Sequence, residues 1–100
     1  MLEIEYRTKN LEKVCTIASE AKKKYGQKMA EKIHLRIDQM HAAENVEQMI
    51  QFRIGNCHLL HHNRQNQYAV DLVQPVRLVF KIKETEIQIV SIIEITDYHR

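Results

Sequence analysis

The chain has 100 residues, of which 44% are hydrophobic and 28% charged, with two glycines and one proline. This length predicts one domain, residues 1–100, and this composition excludes a disordered or collagen-like protein. The formal net charge of +2 says little about nucleic acid. No apolar run reaches the roughly 18 residues of a membrane span, and "MLEIEY" has acids where a signal peptide carries lysines, so we expect a cytoplasmic protein.

The first half of the chain predicts a strand followed by two helices. The segment "LEIEY" alternates apolar and acidic residues, the period of a strand with one wet face. Apolar residues recur at helical spacing over residues 11–25, where Asn10 can cap the helix and Gly26 can end it. A second helix follows up to Ala42, and the two are expected to form an antiparallel hairpin. Residues 42–55 are predicted to be a loop with one short helical turn.

The second half predicts a strand meander. Large apolar residues recur at every second position over residues 68–73 and again over residues 76–83, with a Gln-Pro turn between them. After a turn at residues 83–86, "EIQIVSIIEI" is apolar on both faces, which is typical of a central strand. The expected fold is therefore α+β: an N-terminal strand, an antiparallel helix hairpin, and a C-terminal antiparallel strand meander with the helices on one face of the sheet.

A basic stripe lies on the second predicted helix. Lys28, Lys32 and Arg36 are four residues apart and therefore share one helix face. Such stripes are more often solvated surfaces than binding sites. The functional alternative is contact with the phosphates of an RNA or DNA backbone.

Arg77 stands in the middle of the predicted strand "PVRLVF", on the face opposite its apolar neighbours. A guanidinium there can offer a planar fork to a phosphate, or it can form a structural salt bridge to Asp71 on the neighbouring strand. At the end of the chain, Asp97 and His99 point the same way if the last strand stays extended, so the acid can orient the imidazole. The alternative is that His99 is a solvated terminal residue.

Three histidines lie between two apolar runs, at positions 58, 61 and 62. As metal ligands they lack an HxxxH helix pattern and cysteine partners beyond Cys57, so no metal site is predicted. Neither Cys57 nor Cys15 has CxxC spacing, which predicts reduced thiols. As acid and base groups the histidines need only to converge, because imidazole titrates near cellular pH.

The C-terminal half resembles a known family. "CHLLHHNRQNQYAVDLVQPVRLVFK" followed by "VSIIEITDYH" is similar to the HigB-type killer proteins of the RelE/ParE toxin superfamily. In those proteins a strand like "LHxLKGxRxGQYxV" precedes an "RLxF" strand and a terminal "DYH". The resemblance covers residues 56–99, and the order strand, helix, helix of residues 1–41 agrees. His61 and His62 stand where the family has Lys-Gly, and Asn66 replaces a later glycine.

This resemblance implies the toxin of a type II toxin–antitoxin pair, an endoribonuclease that cuts messenger RNA on the ribosome until its antitoxin binds. It implies no cofactor, and the expected antitoxin is a helix-turn-helix protein. The matched catalytic positions are His58, His61, Arg77, Asp97 and His99, and the matched RNA-binding positions are Arg64 and Tyr98. Lys28, Lys32 and Arg36 are expected to add affinity for RNA.

The chemistry agrees with these residue types. RNA cleavage without a metal uses the neighbouring 2′-hydroxyl as nucleophile, and it needs a base, an acid and cations for the charge on phosphorus. We expect His99 to transfer one proton, His58 or His61 the other, and Arg77 to hold the phosphate. Two alternatives remain: a ParE-like toxin that acts on DNA gyrase by protein contact, and a non-catalytic interaction or metal-binding module.

Overall fold

The computed structural model describes residues 1–60 and 66–97. Its N-terminal half contains one strand, four α-helices and a 3₁₀ turn among the described residues. These are β1 Glu3–Tyr6, α1 Lys9–Thr16, α2 Ala18–Tyr25, α3 Gln27–Ala42, α4 Val46–Gln51 and the 3₁₀ turn Ile54–Asn56. Four strands follow: β2 His58–Leu59, β3 Gln67–Asp71, β4 Val76–Glu84 and β5 Ile89–Asp97. None of the helices in this part of the chain is long and apolar enough to cross a membrane.

The first predicted helix is two helices in the structure. Ile17 has extended backbone angles, φ −117° and ψ 111°, and separates α1 from α2. The apolar spacing continues across the break, which is why the sequence predicted one helix. The predicted cap, Asn10, was also wrong. The residue that caps α1 is Thr8, whose hydroxyl accepts a hydrogen bond from the Leu11 backbone N–H at 3.1 Å.

The predicted link between the helices is confirmed. Gly26 separates α2 from α3 with φ 88°, a backbone conformation that glycine adopts at little cost. α2 and α3 pack against each other and form the helix hairpin. The segment predicted as a loop contains α4, which is capped by Asn45: its side chain accepts from the Gln48 backbone N–H at 2.7 Å.

The strands form one five-stranded sheet in the order β1-β5-β4-β3-β2 across the described residues. The sheet is mixed, because β1 pairs parallel with β5 while the other pairs are antiparallel. β5 lies between two strands, as its apolar character predicted. The turn before it spans residues 85–88, two positions later than predicted, because β4 continues to Glu84. The short strand β2 was not predicted.

The core lies between the helices and one face of the sheet. On that face, strands β3, β4 and β5 bury large aliphatic and aromatic side chains that join those of α1, α3 and α4. These strand residues are Val70, Leu78, Phe80, Val90 and Ile92. Tyr68 stacks on Phe80 with the ring centroids 5.7 Å apart. The helices therefore cover one face, and the opposite face of the sheet is defined here as the far face.

Candidate functional site

The far face carries three rows of residues across the sheet, most of them polar or charged. Strand alternation puts Arg77, Val79 and Lys81 of β4 on this face, and the pairing register gives their neighbours. The rows are Asp71–Arg77–Thr96, then His58–Ala69–Val79–Glu94, then Gln67–Lys81–Ser91–Glu5. Two predicted catalytic residues, Arg77 and His58, therefore lie on one face in adjacent rows.

The imidazole of His58 is held in one orientation. Its Nδ1 lies 2.8 Å from the backbone carbonyl oxygen of Asn56. A carbonyl only accepts, so Nδ1 carries the hydrogen, and in the neutral ring Nε2 keeps its lone pair. The next residue across the sheet is Ala69, which is fully buried. Nε2 of His58 is therefore the nitrogen that can accept a proton.

Arg77 forms the ion pair with Asp71 that the sequence allowed. Nε of Arg77 lies 3.4 Å from Oδ1 of Asp71, and the two side chains are 29% and 22% exposed. The other carboxylate oxygen of Asp71 accepts from Nδ2 of Asn56 at 3.4 Å. Because the Asn56 carbonyl orients His58, Asp71 and Asn56 connect the guanidinium to the imidazole.

Arg36 does not share a solvated stripe with Lys28 and Lys32. Its Nε donates to the backbone carbonyl of Asp71 at 2.7 Å. It also lies against Gly55, where an added Cβ would stand 2.6 Å from Nε of Arg36. Burial lowers the pKa of Arg36, and the nearby Asp71 partly offsets that effect. Arg36 therefore fixes α3 to the end of β3, and its expected contact with RNA stays a prediction.

The two lysines of the predicted stripe lie on the helix side of the molecule. Lys28 is exposed and Lys32 half-buried, and both line a cavity of about 520 Å³ with residues 72–74. Glu31 shares this cavity. The structure does not bring these lysines to the far face, so any contact with RNA would be separate from His58 and Arg77.

Other predicted site residues lie at the end of β5 or outside the described part of the chain. Asp97 pairs with Val76, so alternation along β5 assigns it to the face opposite Arg77, where it is exposed. The remaining positions fall outside residues 1–60 and 66–97, and their roles stay predictions. They are His61, Arg64, Tyr98 and His99.

Three cations on the far face were missed from the sequence. Arg7, Lys81 and Lys83 line a cavity of about 330 Å³. The signal for two of them was present, because Lys81 and Lys83 follow Arg77 at even spacing in "RLVFKIK" and so share its face. Lys83 pairs with Glu5 at 2.7 Å. The far face is thus more basic than the sequence interpretation indicated.

Neither cysteine is a candidate nucleophile. Burial raises the pKa of Cys15 and of Cys57 to about 12, so both thiols stay protonated near neutral pH. Among the described residues, no group of three or more His, Cys, Asp or Glu side chains is arranged to hold a metal ion. His58 can accept a proton on the far face, and the cations beside it can bind an anion.

Comparison with known proteins identifies the fold. No protein-family model matches the chain, and no curated protein matches it in sequence. A solved structure, the YoeB/ParE toxin from Agrobacterium tumefaciens, is similar with a TM-score of 0.59 and 10% sequence identity. The alignment covers 97% of this chain and 99% of that one. The α+β fold with its five-stranded mixed sheet therefore matches the fold of that solved structure.

Proposed function

We propose that this protein is the toxin of a toxin–antitoxin pair and that it cleaves messenger RNA on the ribosome by acid and base catalysis. One observation supports this most strongly. His58 and Arg77 share the far face and are connected through Asn56 and Asp71. A proton acceptor and a cation on one surface are what cleavage of a phosphodiester requires.

The proposed reaction assigns each proton. Nε2 of His58 takes the proton of the 2′-hydroxyl, and the 2′-oxygen forms a bond to the adjacent phosphorus. The bond from phosphorus to the 5′-oxygen breaks, and that oxygen receives a proton from a second group. We assign this second role to His99 or His61, both of which lie outside residues 1–60 and 66–97. We give Asp97 no part in this step because it lies on the face opposite Arg77. The products are a 2′,3′-cyclic phosphate and a 5′-hydroxyl.

Arg77 is proposed to bind the phosphate that is cut. A guanidinium has five N–H donors, so the contact of its Nε edge with Asp71 is compatible with a contact to phosphate oxygens. The carboxylate also limits the rotation of the guanidinium, which reduces the entropy lost when substrate binds. Positive charge at this position stabilises the additional negative charge of the transition state.

The similarity to a solved YoeB/ParE toxin supports an antitoxin partner. We propose that a helix-turn-helix antitoxin inhibits this protein and that the ribosome presents the messenger RNA. A ParE-like action on DNA gyrase requires no catalytic histidine. The orientation of His58 by Asn56 therefore favours the ribonuclease.

The test is a reconstituted translation reaction with purified protein. We expect cleavage of a defined messenger RNA only when ribosomes are present, and His58→Gln should slow it by about 10²–10⁴-fold because a general base is lost. His41→Gln is the matched control, since His41 is exposed at the end of α3. Intact RNA together with inhibited supercoiling in a parallel gyrase assay would replace the proposal with the gyrase alternative.

A further inference from the structure

A second cationic site lies on the far face, away from Arg77. The cavity of about 330 Å³ is lined by Arg7, Gln67, Lys81, Lys83, Ser91 and Ile93, and it is called here the basic cradle. It belongs to the third row of the far face, whereas Arg77 belongs to the first. Lys81 is four residues from Arg77 on β4, which is roughly 13 Å along a strand. The row of His58 lies between them.

The charge of the basic cradle favours an anion. Three cations line it, and Glu5 is the acid paired with one of them, Lys83. Within the described part of the chain, Arg7 and Lys81 form no ion pair. The backbone N–H of Arg7 donates to the carbonyl of Ile92 at 2.9 Å, which fixes the start of this side chain beside β5.

Ser91 adds a hydroxyl group to the basic cradle. The residue is 8% exposed and lines the cavity, and its hydroxyl makes no hydrogen bond to any residue in the ranges 1–60 and 66–97. The hydroxyl is not among the fully buried unpaired polar atoms of the described residues, so it can donate to a molecule in the cavity. A phosphate oxygen in the cradle would accept the hydrogen of Ser91 while the cations neutralise its charge.

We propose that the basic cradle binds a backbone phosphate of single-stranded RNA, one that lies one or two nucleotides along the strand from the phosphate cut at Arg77 and His58. This inference rests on the proposed function, because both sites then lie along one RNA strand on one face. Phosphate contacts of this kind position a strand without reading its sequence. The basic cradle therefore sets the position of the RNA, and Arg7, Lys81, Lys83 and Ser91 are positioning residues.

The experiment measures binding of a short fluorescein-labelled RNA in which every 2′-hydroxyl is methylated, so that it cannot be cut. The affinity for this RNA is determined over a salt series for the parent and for one double variant, Lys81→Gln with Lys83→Gln. Each phosphate contact on a single strand contributes about 0.7 to the slope of log K against log salt. We expect the double variant to lose about 0.7 from that slope, because the basic cradle binds one phosphate.

Two controls separate the cradle from general charge. Lys13→Gln with Lys23→Gln removes the same charge at a cavity between α1 and α2, and it should leave the slope unchanged. Ser91→Ala should weaken binding by about two- to tenfold, the range of a neutral hydrogen bond, with no change of slope. Circular dichroism of each variant confirms the fold.

The outcomes are distinct. If the folded Lys81/Lys83 variant binds RNA with the same salt slope as the parent, the cradle proposal is wrong. It is also wrong if this variant loses affinity only for poly-glutamate, because that result would indicate an acidic protein segment as the ligand. If the parent binds the RNA with the expected slopes but never cuts messenger RNA on ribosomes, the proposed function fails while the cradle stands. If the parent cuts messenger RNA but the Lys81/Lys83 variant has the same salt slope as the parent, only the cradle proposal is wrong.

Discussion

The two faces of the sheet are made from the same strands but from different residue types. On β4, Leu78 and Phe80 are fully buried against the helices, while Arg77 and Lys81 alternate with them on the far face. The helix-covered face holds the apolar core. The far face holds an ion pair, an oriented imidazole and a cationic cavity.

The two faces therefore contribute differently: the helix-covered face stabilises the fold, and the far face carries the candidate site. Burial of apolar area supplies most of the free energy of folding, and it is concentrated on one face. Half-buried ion pairs such as Arg77–Asp71 contribute little to folding by comparison. Substitutions on the helix-covered face should therefore change the free energy of unfolding, and substitutions on the far face should change activity.

The largest expected effect is on the helix-covered face. Phe80→Ala removes a fully buried ring that stacks on Tyr68, and it should lower the free energy of unfolding by about 3–5 kcal/mol. Lys81→Ala, one residue away on the far face, should change it by at most about 0.5 kcal/mol. Urea denaturation measures both, and a similar loss in the two variants would remove the distinction between the faces.

The next effect is on activity at the far face. Arg77→Ala should slow messenger RNA cleavage by about 10²–10³-fold, the typical cost of losing one group that stabilises transition-state charge. Arg77→Lys should restore only part of the rate, because a point charge replaces a bidentate fork.

Asp71→Asn is the control for this prediction. It removes the ion pair and keeps the arginine, so its rate should stay close to that of the parent if Arg77 contacts phosphate. If Asp71→Asn is as slow as Arg77→Ala, the ion pair matters for structure and the assignment of Arg77 as a phosphate ligand is wrong.

A smaller effect tests where Arg36 belongs. Arg36→Met removes the hydrogen bond to the Asp71 carbonyl and should lower the free energy of unfolding by about 1–3 kcal/mol. Arg53→Met, at an exposed arginine, should leave stability within about 0.5 kcal/mol of the parent. Equal stability of the two variants would show that Arg36 does not stabilise the fold and is a solvated residue of the helix surface.

The smallest expected effect concerns Lys28 and Lys32. If these helix-side lysines contact RNA or the ribosome, Lys28→Gln with Lys32→Gln should lower the salt slope of binding by about 1.4, the value for two single-strand phosphate contacts. The single-turnover rate at saturation should not change, because neither lysine lies on the far face. A slope equal to that of the parent would identify them as ordinary solvated residues.

Local patterns in the sequence predicted the features that depend on local physics. The alternation of β4 placed Arg77 opposite Leu78, and Gly26 marked the end of a helix. The break at Ile17 could not be predicted in this way, because the apolar period runs through it unchanged. The parallel pairing of β1 with β5 joins residues almost 90 positions apart, and no local pattern carries that information.

The candidate site was predictable to a similar extent. The face of Arg77 follows from alternation, and its pairing with Asp71 was one of the two stated alternatives. Arg36 resembles Lys28 and Lys32 in spacing, and only its tertiary position over Gly55 distinguishes it. The link from His58 through Asn56 to Asp71 depends on the turn Ile54–Asn56, whose backbone conformation at Gly55 and Asn56 has positive φ.

The central claim is that this protein cuts RNA by attack of the neighbouring 2′-hydroxyl with His58 as a proton acceptor. The most direct measurement maps the cut in a ribosome-bound messenger RNA and repeats the reaction with a single 2′-deoxy nucleotide on the 5′ side of that cut. We predict fragments with a 2′,3′-cyclic phosphate and a 5′-hydroxyl from the natural RNA, and no cut at the substituted position. Fragments ending in a 3′-hydroxyl, or unchanged cleavage of the 2′-deoxy RNA, would contradict the account.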